Sequence, residues 1–158
     1  MHDTDISTLR RILGENRIVA VVGLSANWWR PSYFAAKYML EHGYQVIPVN
    51  PQYAEVLGQK CYASLRDIPG KVDIVDCFQA TARIMPLAEE AIAIGAKVLW
   101  QQIGVKNGEA AQRAAAAGLD AVMDRCVKIE HGRLFGGLNW VGVNTGVLSA
   151  KRPRWLAY

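Results

Sequence analysis

The sequence predicts an α/β domain built on a doubly wound, five-stranded parallel sheet with helices on both faces. Three helical stretches each end in one glycine and lead directly into a run rich in valine and isoleucine, at Gly43, Gly95 and Gly118. A glycine just past a helix end takes the left-handed conformation that terminates the helix, so each one marks a helix-to-strand turn. The apolar runs are short and continuous, as strands are when both faces of a parallel sheet are covered.

In chain order, the predicted strands alternate with helices. The predicted strands are 18–24, 44–50, 72–78, 96–103 and 119–123, and the predicted helices are about 5–14, 31–42, 84–94 and 107–117. This alternation is typical of a Rossmann-like domain, for which we expect the strand order 3-2-1-4-5.

Two segments have a weaker pattern. Residues 53–70 predict a turn and a short irregular crossover. After Lys128 the pattern fades, and we expect the basic tail from Lys151 to Trp155 to be a loosely held terminus or a dimer contact.

Length and composition bound the class of protein. The chain has 158 residues, an ordinary size for one domain, and we place its core at about 9–133 with a C-terminal extension over 134–158. Hydrophobic residues make up 51% and charged residues 20%, values typical of a soluble globular protein. No apolar run approaches the roughly 20 residues of a membrane span. The polar, acid-containing N terminus does not predict a secretion signal.

Cysteine spacing and net charge indicate the location and the class of ligand. Cys61, Cys77 and Cys126 are widely spaced and form no C-x-x-C motif, which indicates reduced thiols in a cytoplasmic protein. The net charge of +4 favours an anionic ligand but is too small to indicate nucleic acid. We therefore expect a small-molecule ligand, no nucleic acid and no membrane, with a homodimer or a protein partner as further options.

The first predicted strand runs into a loop that opens a helix at Pro31. Backbone N–H groups and the positive end of a helix dipole meet at such a junction, which suits a phosphate. The dinucleotide fingerprint G-x-G-x-x-G would need glycines where this chain has Ser25 and Trp28. Gly23 allows a tight turn with close approach to a ligand, the Ser25 hydroxyl can donate to a phosphate oxygen, and Arg30 can add a bidentate contact.

Other interpretations of this loop stay open. Gly23 and Ser25 can simply form a strand-to-helix turn. Because two exposed indole rings are unfavourable, the adjacent Trp28 and Trp29 are expected to pack on a partner or to cover a ligand ring, with one of them in the core.

The second predicted strand ends at Val49-Asn50-Pro51. A nicotinamide-binding domain usually has an Asp or Glu at this point, which binds the ribose hydroxyls. This chain has no carboxylate there, and Glu55 comes too late, which argues against NAD. Asn50 and Pro51 either border an adenine or form a turn with a rigid proline.

Five motifs, in this order and at this spacing, resemble those of one family. They are Gly23-Leu24-Ser25, Arg30-Pro31-Ser32-Tyr33, Gly43-Tyr44 with Val46-Ile47-Pro48-Val49-Asn50-Pro51, Trp100-x-Gln102-x-Gly104, and Asp124-Arg125-Cys126. Together they look like the stand-alone bacterial CoA-binding proteins. That family is similar to the N-terminal CoA-binding domain of the succinyl-CoA synthetase α subunit and of ADP-forming acyl-CoA synthetases. The resemblance spans about Leu9 to Arg133 and implies coenzyme A or an acyl-CoA as the cofactor.

The resemblance also implies where each part of CoA binds. The phosphates lie on the loop after the first strand, the adenosine lies along the segment after the second, and the pantetheine arm passes the ends of the third and fourth. The fifth strand leads to the place where the related synthetases carry an Asn-Cys turn. The matching residues are, in that order, Gly23, Ser25 and Arg30; Val49, Asn50 and Pro51; Phe78 and Gln79 with Gln102, Ile103 and Gly104; and Asp124, Arg125 and Cys126.

The chain departs from the family pattern at two places. Many relatives have a basic residue after the third-strand Phe, where this chain has Gln79. The first loop carries Trp28 and Trp29 where small or polar residues are common, which is expected to alter ligand access.

The sequence predicts no catalytic or metal-ligating residues. The related synthetases phosphorylate a His in a second domain, and we expect no such domain here. His2 is terminal, His42 sits at a helix end and His131 is expected in a late polar turn. Cys126 is either a small buried residue or a thiol nucleophile paired with His131. This pattern favours a non-catalytic binding, carrier or regulatory module.

Two further functions are weighed against CoA binding. A small NADP-dependent oxidoreductase, or another nucleotide-dependent enzyme, is the main alternative. A basic residue can replace the missing acid when the ribose carries a 2′-phosphate, and CoA carries a 3′-phosphate on the same ribose, so the two ligands have similar charges. Asn50-Pro51-Gln52 offers no Arg for such a phosphate, which argues against NADP. A DNA-binding regulator using the basic tail is disfavoured, because no recognition-helix pattern occurs.

Overall fold

The computed structural model describes residues 4–135 and confirms the predicted α/β architecture. The strands are, in chain order, β1 (Ile18–Val22), β2 (Gln45–Val49), β3 (Glu55–Val56), β4 (Gln59–Lys60), β5 (Ile74–Cys77), β6 (Val98–Gln101) and β7 (Asp120–Val122). Five of them form one parallel sheet, while β3 and β4 pair antiparallel within the predicted irregular crossover. The predicted basic tail from Lys151 to Trp155 lies outside the described residues.

Helices cover both faces of the sheet. They are α1 (Ile6–Glu15), α2 (Pro31–Glu41), α3 (Ile84–Ala93), α4 (Gly108–Ala116) and α5 (Val127–Leu134), with 3-10 helices over Leu65–Asp67 and Thr81–Arg83. The first four match predicted helices. Within residues 4–135, none of these helices has the length and apolar character that crossing a membrane would need.

The strand order differs from the predicted one. The sheet runs β2-β1-β5-β6-β7, so the third predicted strand pairs with β1 and not with β2. The reason is that the outer edge of β2 is already occupied by Tyr62. The Tyr62 N–H donates to the Pro48 carbonyl at 3.0 Å, and the Tyr62 carbonyl accepts from the Asn50 N–H at 2.9 Å. The third predicted strand, β5, therefore pairs with the edge of β1 that faces away from β2.

The buried carboxylate of Asp73 holds the start of β5 against the start of β1. Its Oδ2 atom accepts the backbone N–H groups of Arg17 and Ile18, each at 3.1 Å. Lys97 lies 3.4 Å from the other oxygen. Burial acts to raise the pKa of Asp73, but the two N–H donors and Lys97 outweigh it and lower that pKa. Asp73 is therefore an ionised anchor for the strand pair on which the corrected order depends.

The alternation of side chains along the strands divides the core in two. On one face, Val19 and Val21 of β1 pack with α1, α2 and α5. On the other, Ala20 and Val22 pack with α3 and α4. The sheet therefore separates one part of the core, under α2, from a second part, under α3.

Helix α5 was not predicted, because its buried positions are partly polar. Glu130 and His131 are both buried on it. Glu130 is paired with Arg125 at 3.3 Å and with Arg133 at 3.6 Å. Since these ion pairs satisfy a buried charge, the helix packs on α1 and α2 without a regular apolar stripe.

Candidate functional site

Three chain segments meet at Gly23, directly after β1. The Gly23 N–H donates to the Val49 carbonyl at the end of β2, with an N–O distance of 2.8 Å. A Cβ atom at Gly23 would lie 2.3 Å from the Phe78 carbonyl oxygen and 2.9 Å from the Gln79 amide nitrogen. The φ angle of Gly23 is +84°, in the left-handed region that favours glycine. The structure thus brings together predicted site residues from β1, β2 and β5, in a contact that leaves no room for a side chain.

The loop from Ser25 to Arg30 is held by its own hydrogen bonds. The Ser25 N–H donates to the buried Ser32 hydroxyl at 3.1 Å, and the Asn27 N–H donates to the Ser25 hydroxyl at 3.0 Å. The Arg30 N–H donates to the Asn27 carbonyl at 2.9 Å. The loop therefore offers fewer unused backbone donors than a glycine-rich phosphate loop. Within residues 4–135, the Ser25 hydroxyl proton has no acceptor, so it remains able to donate.

Arg30 lies exposed at the mouth of this loop, as the residue that precedes Pro31 in α2. Its guanidinium forms no ion pair with any described residue. A guanidinium at the start of α2 and a hydroxyl in the same loop are both suitable donors for a phosphate.

Trp28 and Trp29 are both exposed, at 45% and 48%. Their ring centroids are 4.0 Å apart with an interplanar angle of 34°. The expectation that one of them belongs to the core is wrong. The two rings contact each other at the surface, because the residues are adjacent in the exposed loop that follows β1.

Asn50 supports the turn interpretation of its segment. Its amide nitrogen donates to the Leu24 carbonyl at 3.2 Å, and its side-chain oxygen accepts the Gln52 N–H at 2.9 Å. Asn50 therefore joins the segment after β2 to the loop after β1. The contact leaves Pro51 exposed at the border of a cleft.

This cleft has a volume of about 250 Å³ and lies beside the carboxyl ends of β1 and β2. It brings three predicted site residues together, Val49, Pro51 and Gln79. Its walls combine apolar and polar groups, which is typical of small-molecule sites. The other lining residues are Val22, Ala63, Ser64, Leu65, Arg83, Pro86, Leu87 and Glu90.

The turn after β6 holds the predicted residues Gln102, Ile103 and Gly104. Gln102 is buried, whereas Ile103 and Gly104 are exposed. The Gly104 N–H donates to the Asp124 carboxylate at 2.8 Å. Asp124 has a φ angle of +57°, which is uncommon outside glycine. The turns after β6 and β7 are therefore joined to each other.

Asp76, on β5, is a buried carboxyl that the sequence analysis did not single out. It is 1% exposed and accepts a hydrogen bond from the Gln102 amide nitrogen. Burial raises the pKa of Asp76 to about 7, although the Gln102 donor acts to lower it. The Gln102 side-chain oxygen is buried with no donor among the described residues. The available signal was an Asp inside the apolar run 72–78.

Arg125 and Cys126 lie apart from the cleft, at the start of α5. The Arg125 carbonyl accepts the Trp100 indole N–H at 2.8 Å, and its guanidinium pairs with Glu130. Cys126 is 1% exposed, and burial raises its pKa to about 11. A thiol in this state is protonated at neutral pH, which favours the small buried residue over the nucleophile.

His42 and His131 both pack against the ring of Tyr38. His42 ends α2 as predicted, but His131 lies buried on α5 and not in a polar turn. His131 Nδ1 is 3.0 Å from the Tyr38 hydroxyl. Burial lowers the pKa of His131, with His42 and Arg17 adding to that effect. Within residues 4–135, no cluster of His, Cys, Asp and Glu is arranged to hold a metal ion.

Comparison with known proteins identifies the family. The sequence profile of the CoA binding domain matches residues 17–132. The chain belongs to the CoA binding domain family. The family match includes every residue predicted for the site, from Gly23 to Cys126.

Individual relatives agree with this family. YneT of Bacillus subtilis is 38% identical over 131 residues, covering 83% of this chain and 97% of YneT. The structure of a hypothetical protein from Pyrococcus horikoshii OT3 superposes with a TM-score of 0.81 at 44% identity, covering 86% of this chain and all of that one. An ADP-forming acetate–CoA ligase of Methanocaldococcus jannaschii is 32% identical over 56 residues, 35% of this chain but only 8% of the ligase.

The contact at Gly23 predicts a large loss of stability on substitution in this CoA binding domain. We expect Gly23→Ala to lower the free energy of unfolding by about 3 kcal/mol or more, because the new Cβ atom combines a strained φ with overlap on the Phe78 carbonyl. Chemical denaturation measures the change. The matched control is Gly43→Ala, where φ is +86° but no atom lies within 4 Å. It is expected to cost about 1 kcal/mol. Equal losses at the two positions would contradict the prediction.

The buried carboxyl of Asp76 predicts a pH-dependent stability. The unfolded carboxyl loses its proton near 3.8 and the folded one near 7. The contribution of Asp76 to the wild-type free energy of unfolding should therefore fall as the pH rises between these values. Asp76→Asn does not titrate, so its stability relative to wild type should rise by roughly 4 kcal/mol from about pH 4 to about pH 8 in denaturation experiments.

Asp124→Asn is the control for Asp76. The Gly104 N–H lowers the pKa of Asp124, so the stability it contributes is present above 3.8 and is lost as the pH falls through its lower folded value. The effect of Asp124→Asn on the free energy of unfolding should therefore not change between about pH 5 and pH 8. If the effect of Asp76→Asn on the free energy of unfolding also does not change with pH, then folding does not raise the pKa of Asp76 and the prediction is wrong.

Proposed function

We propose that this protein binds coenzyme A or an acyl-CoA at the carboxyl ends of β1, β2, β5 and β6, as a non-catalytic binding, carrier or regulatory module. The family match over residues 17–132 carries the proposal, because it includes every segment that meets at this edge of the sheet. Ligands of doubly wound sheets bind where the strand order reverses. In this sheet the reversal lies between β1 and β5, beside Gly23.

In this proposal the CoA phosphates bind on the loop after β1. The Ser25 hydroxyl donates one hydrogen bond, and the exposed Arg30 guanidinium adds charge-assisted ones. The Asn27 N–H holds the Ser25 hydroxyl oxygen at 3.0 Å, so the hydroxyl is fixed in place before a ligand arrives. A fixed donor loses less conformational entropy on binding.

The rest of the ligand follows the neighbouring strand ends. The adenosine lies along Val49, Asn50 and Pro51, where the cleft provides an apolar wall. The pantetheine arm leads away past the ends of the next two strands, with the far end of the site at the start of α5. The residues proposed for the arm are Phe78, Gln79, Gln102, Ile103 and Gly104, while Arg125 and Cys126 mark the far end, where the related synthetases carry an Asn-Cys turn.

The non-catalytic role is supported by the thiols. Cys61, Cys77 and Cys126 are all free and buried, and burial raises the pKa of each. Protonated, inaccessible thiols are poor nucleophiles. Free thiols also support a cytoplasmic location. A carrier role implies a protein partner or a second copy of the chain, for which the exposed Trp28 and Trp29 rings are an apolar surface.

Calorimetric titration of the full chain with CoA, acetyl-CoA, NAD and NADP tests the proposed function. We expect binding of CoA or acetyl-CoA and no comparable binding of NAD or NADP. Tight binding of NADP without a response to CoA would replace the proposal with an NADP-dependent oxidoreductase.

Ser25→Glu tests the phosphate loop itself. A carboxylate at this position would repel the CoA phosphates, so we expect CoA binding to be lost while the thermal midpoint stays nearly unchanged. The matched control is Ser7→Glu, at an exposed position in the first turn of α1, where an acid is favourable for the helix. Normal CoA binding by Ser25→Glu would show that the phosphates bind elsewhere.

A further inference from the structure

We infer that Arg83 binds the 3′-phosphate on the ribose of CoA, and so decides whether the protein distinguishes CoA from dephospho-CoA. The inference rests on the proposed CoA binding and adds a residue that neither the motifs nor the family resemblance assigned. Arg83 ends the 3-10 helix Thr81–Arg83 and directly precedes α3. Its side chain lines the cleft beside β1 and β2.

The adenosine side of the proposed site needs a cation that its own segments lack. The residues after β2 are Asn50, Pro51 and Gln52, and the residue after Phe78 is Gln79. None carries a positive charge. A ribose phosphate bound in a cleft with neutral walls would lose its hydration without a charged partner, which is unfavourable.

Arg83 is the one cationic residue among the described residues that line this cleft. The same cleft contains Val49 and Pro51, the residues proposed to follow the adenosine. A guanidinium at that wall therefore lies next to the part of the ligand that carries the 3′-phosphate. Its planar pair of donors suits the oxygens of a phosphate monoester.

No other described group uses the Arg83 guanidinium. Its backbone N–H donates to the Ala80 carbonyl at 2.8 Å, which fixes the backbone, but within residues 4–135 its side chain forms no ion pair or hydrogen bond. Ser64, also in the cleft, already donates its hydroxyl to the Asp67 carboxylate at 3.0 Å. The Arg83 guanidinium is thus free to donate to the 3′-phosphate of the proposed ligand, which is a dianion.

Glu90 lines the same cleft and carries the opposite charge to Arg83. It lies seven residues further along the chain in α3, roughly 10 Å away at the rise of an α-helix. The cleft therefore has a cationic end near the strand termini and an anionic end along α3. An anion is expected at the Arg83 end, which is the end next to Gly23 and Gln79.

The experiment compares the dissociation constants of CoA and dephospho-CoA by calorimetry. For the wild-type chain we expect CoA to bind at least about tenfold more tightly than dephospho-CoA. Arg83→Gln should weaken CoA binding by about tenfold to a hundredfold and leave dephospho-CoA binding within about twofold. Arg83→Lys, which keeps the charge but not the planar pair of donors, should be intermediate.

Arg66→Gln is the matched control. Arg66 is exposed on the neighbouring 3-10 helix Leu65–Asp67 but does not line the cleft. This variant removes the same charge and should leave both affinities unchanged. Thermal melting of each variant checks that the fold is intact, which the exposed position of Arg83 predicts.

The outcomes separate this inference from the proposed function. If wild type binds both ligands equally, or if Arg83→Gln weakens both equally, CoA binding stands and the role of Arg83 is overturned. If Arg66→Gln matches Arg83→Gln, the effect is one of overall charge and the assignment is also overturned. If wild type binds neither ligand, the proposed function fails, and the role of Arg83 fails with it.

Discussion

Strand β1 is held between β2 and β5 by contacts at both of its ends, and the rest of the structure depends on this arrangement. At the amino end, the buried Asp73 carboxylate accepts two backbone N–H groups that precede or begin β1. At the carboxyl end, the Gly23 N–H donates to Val49, and Phe78 donates back to the Val22 carbonyl at 2.9 Å. A short central strand closed at both ends leaves little freedom in the positions of the loops that follow it.

The position of β1 also decides how the proposed site is divided. The loop that carries Ser25 and Arg30 leads into α2, which packs on one face of the sheet. The cleft that contains Arg83 lies under α3, which packs on the other face. A ligand that crosses the end of β1 at Gly23 would therefore have Arg30 on one side and Arg83 on the other. CoA carries a diphosphate and a separate ribose phosphate, so its two anionic groups fit such a division.

Two glutamines, Gln101 and Gln102, are buried at the carboxyl end of β6, and they differ in how well their side chains are satisfied. The Gln101 side chain exchanges two hydrogen bonds with the Asn107 backbone, at 2.7 and 3.1 Å. Among the described residues, the side chain of the neighbouring Gln102 has only Asp76 as a partner, and its side-chain oxygen has no donor. An incompletely satisfied pair in the interior lowers stability. Such groups are expected near binding sites, where local rules of stability are relaxed.

The sequence by itself determined the local elements. The glycines at 43, 95 and 118 mark real helix ends, each with a positive φ angle, because a glycine acts on its own turn alone. The apolar runs likewise identified the five strands of the parallel sheet, and the loop after β1 was recognisable as a candidate site. These features depend on residues close together in the chain.

Only the tertiary structure decided what depends on distant residues. The strand order changed because Tyr62 occupies the edge of β2, and α5 was missed because its buried Glu130 is neutralised by arginines. The pairing of Asp76 with Gln102 and the exposure of both Trp28 and Trp29 are also absent from the local pattern. Arg83 reaches the cleft because the sheet returns beside β1, a pairing between segments about 55 residues apart. Periodicity and propensity carry no information on such pairings, since the energy lies in contacts that form only when the sheet assembles.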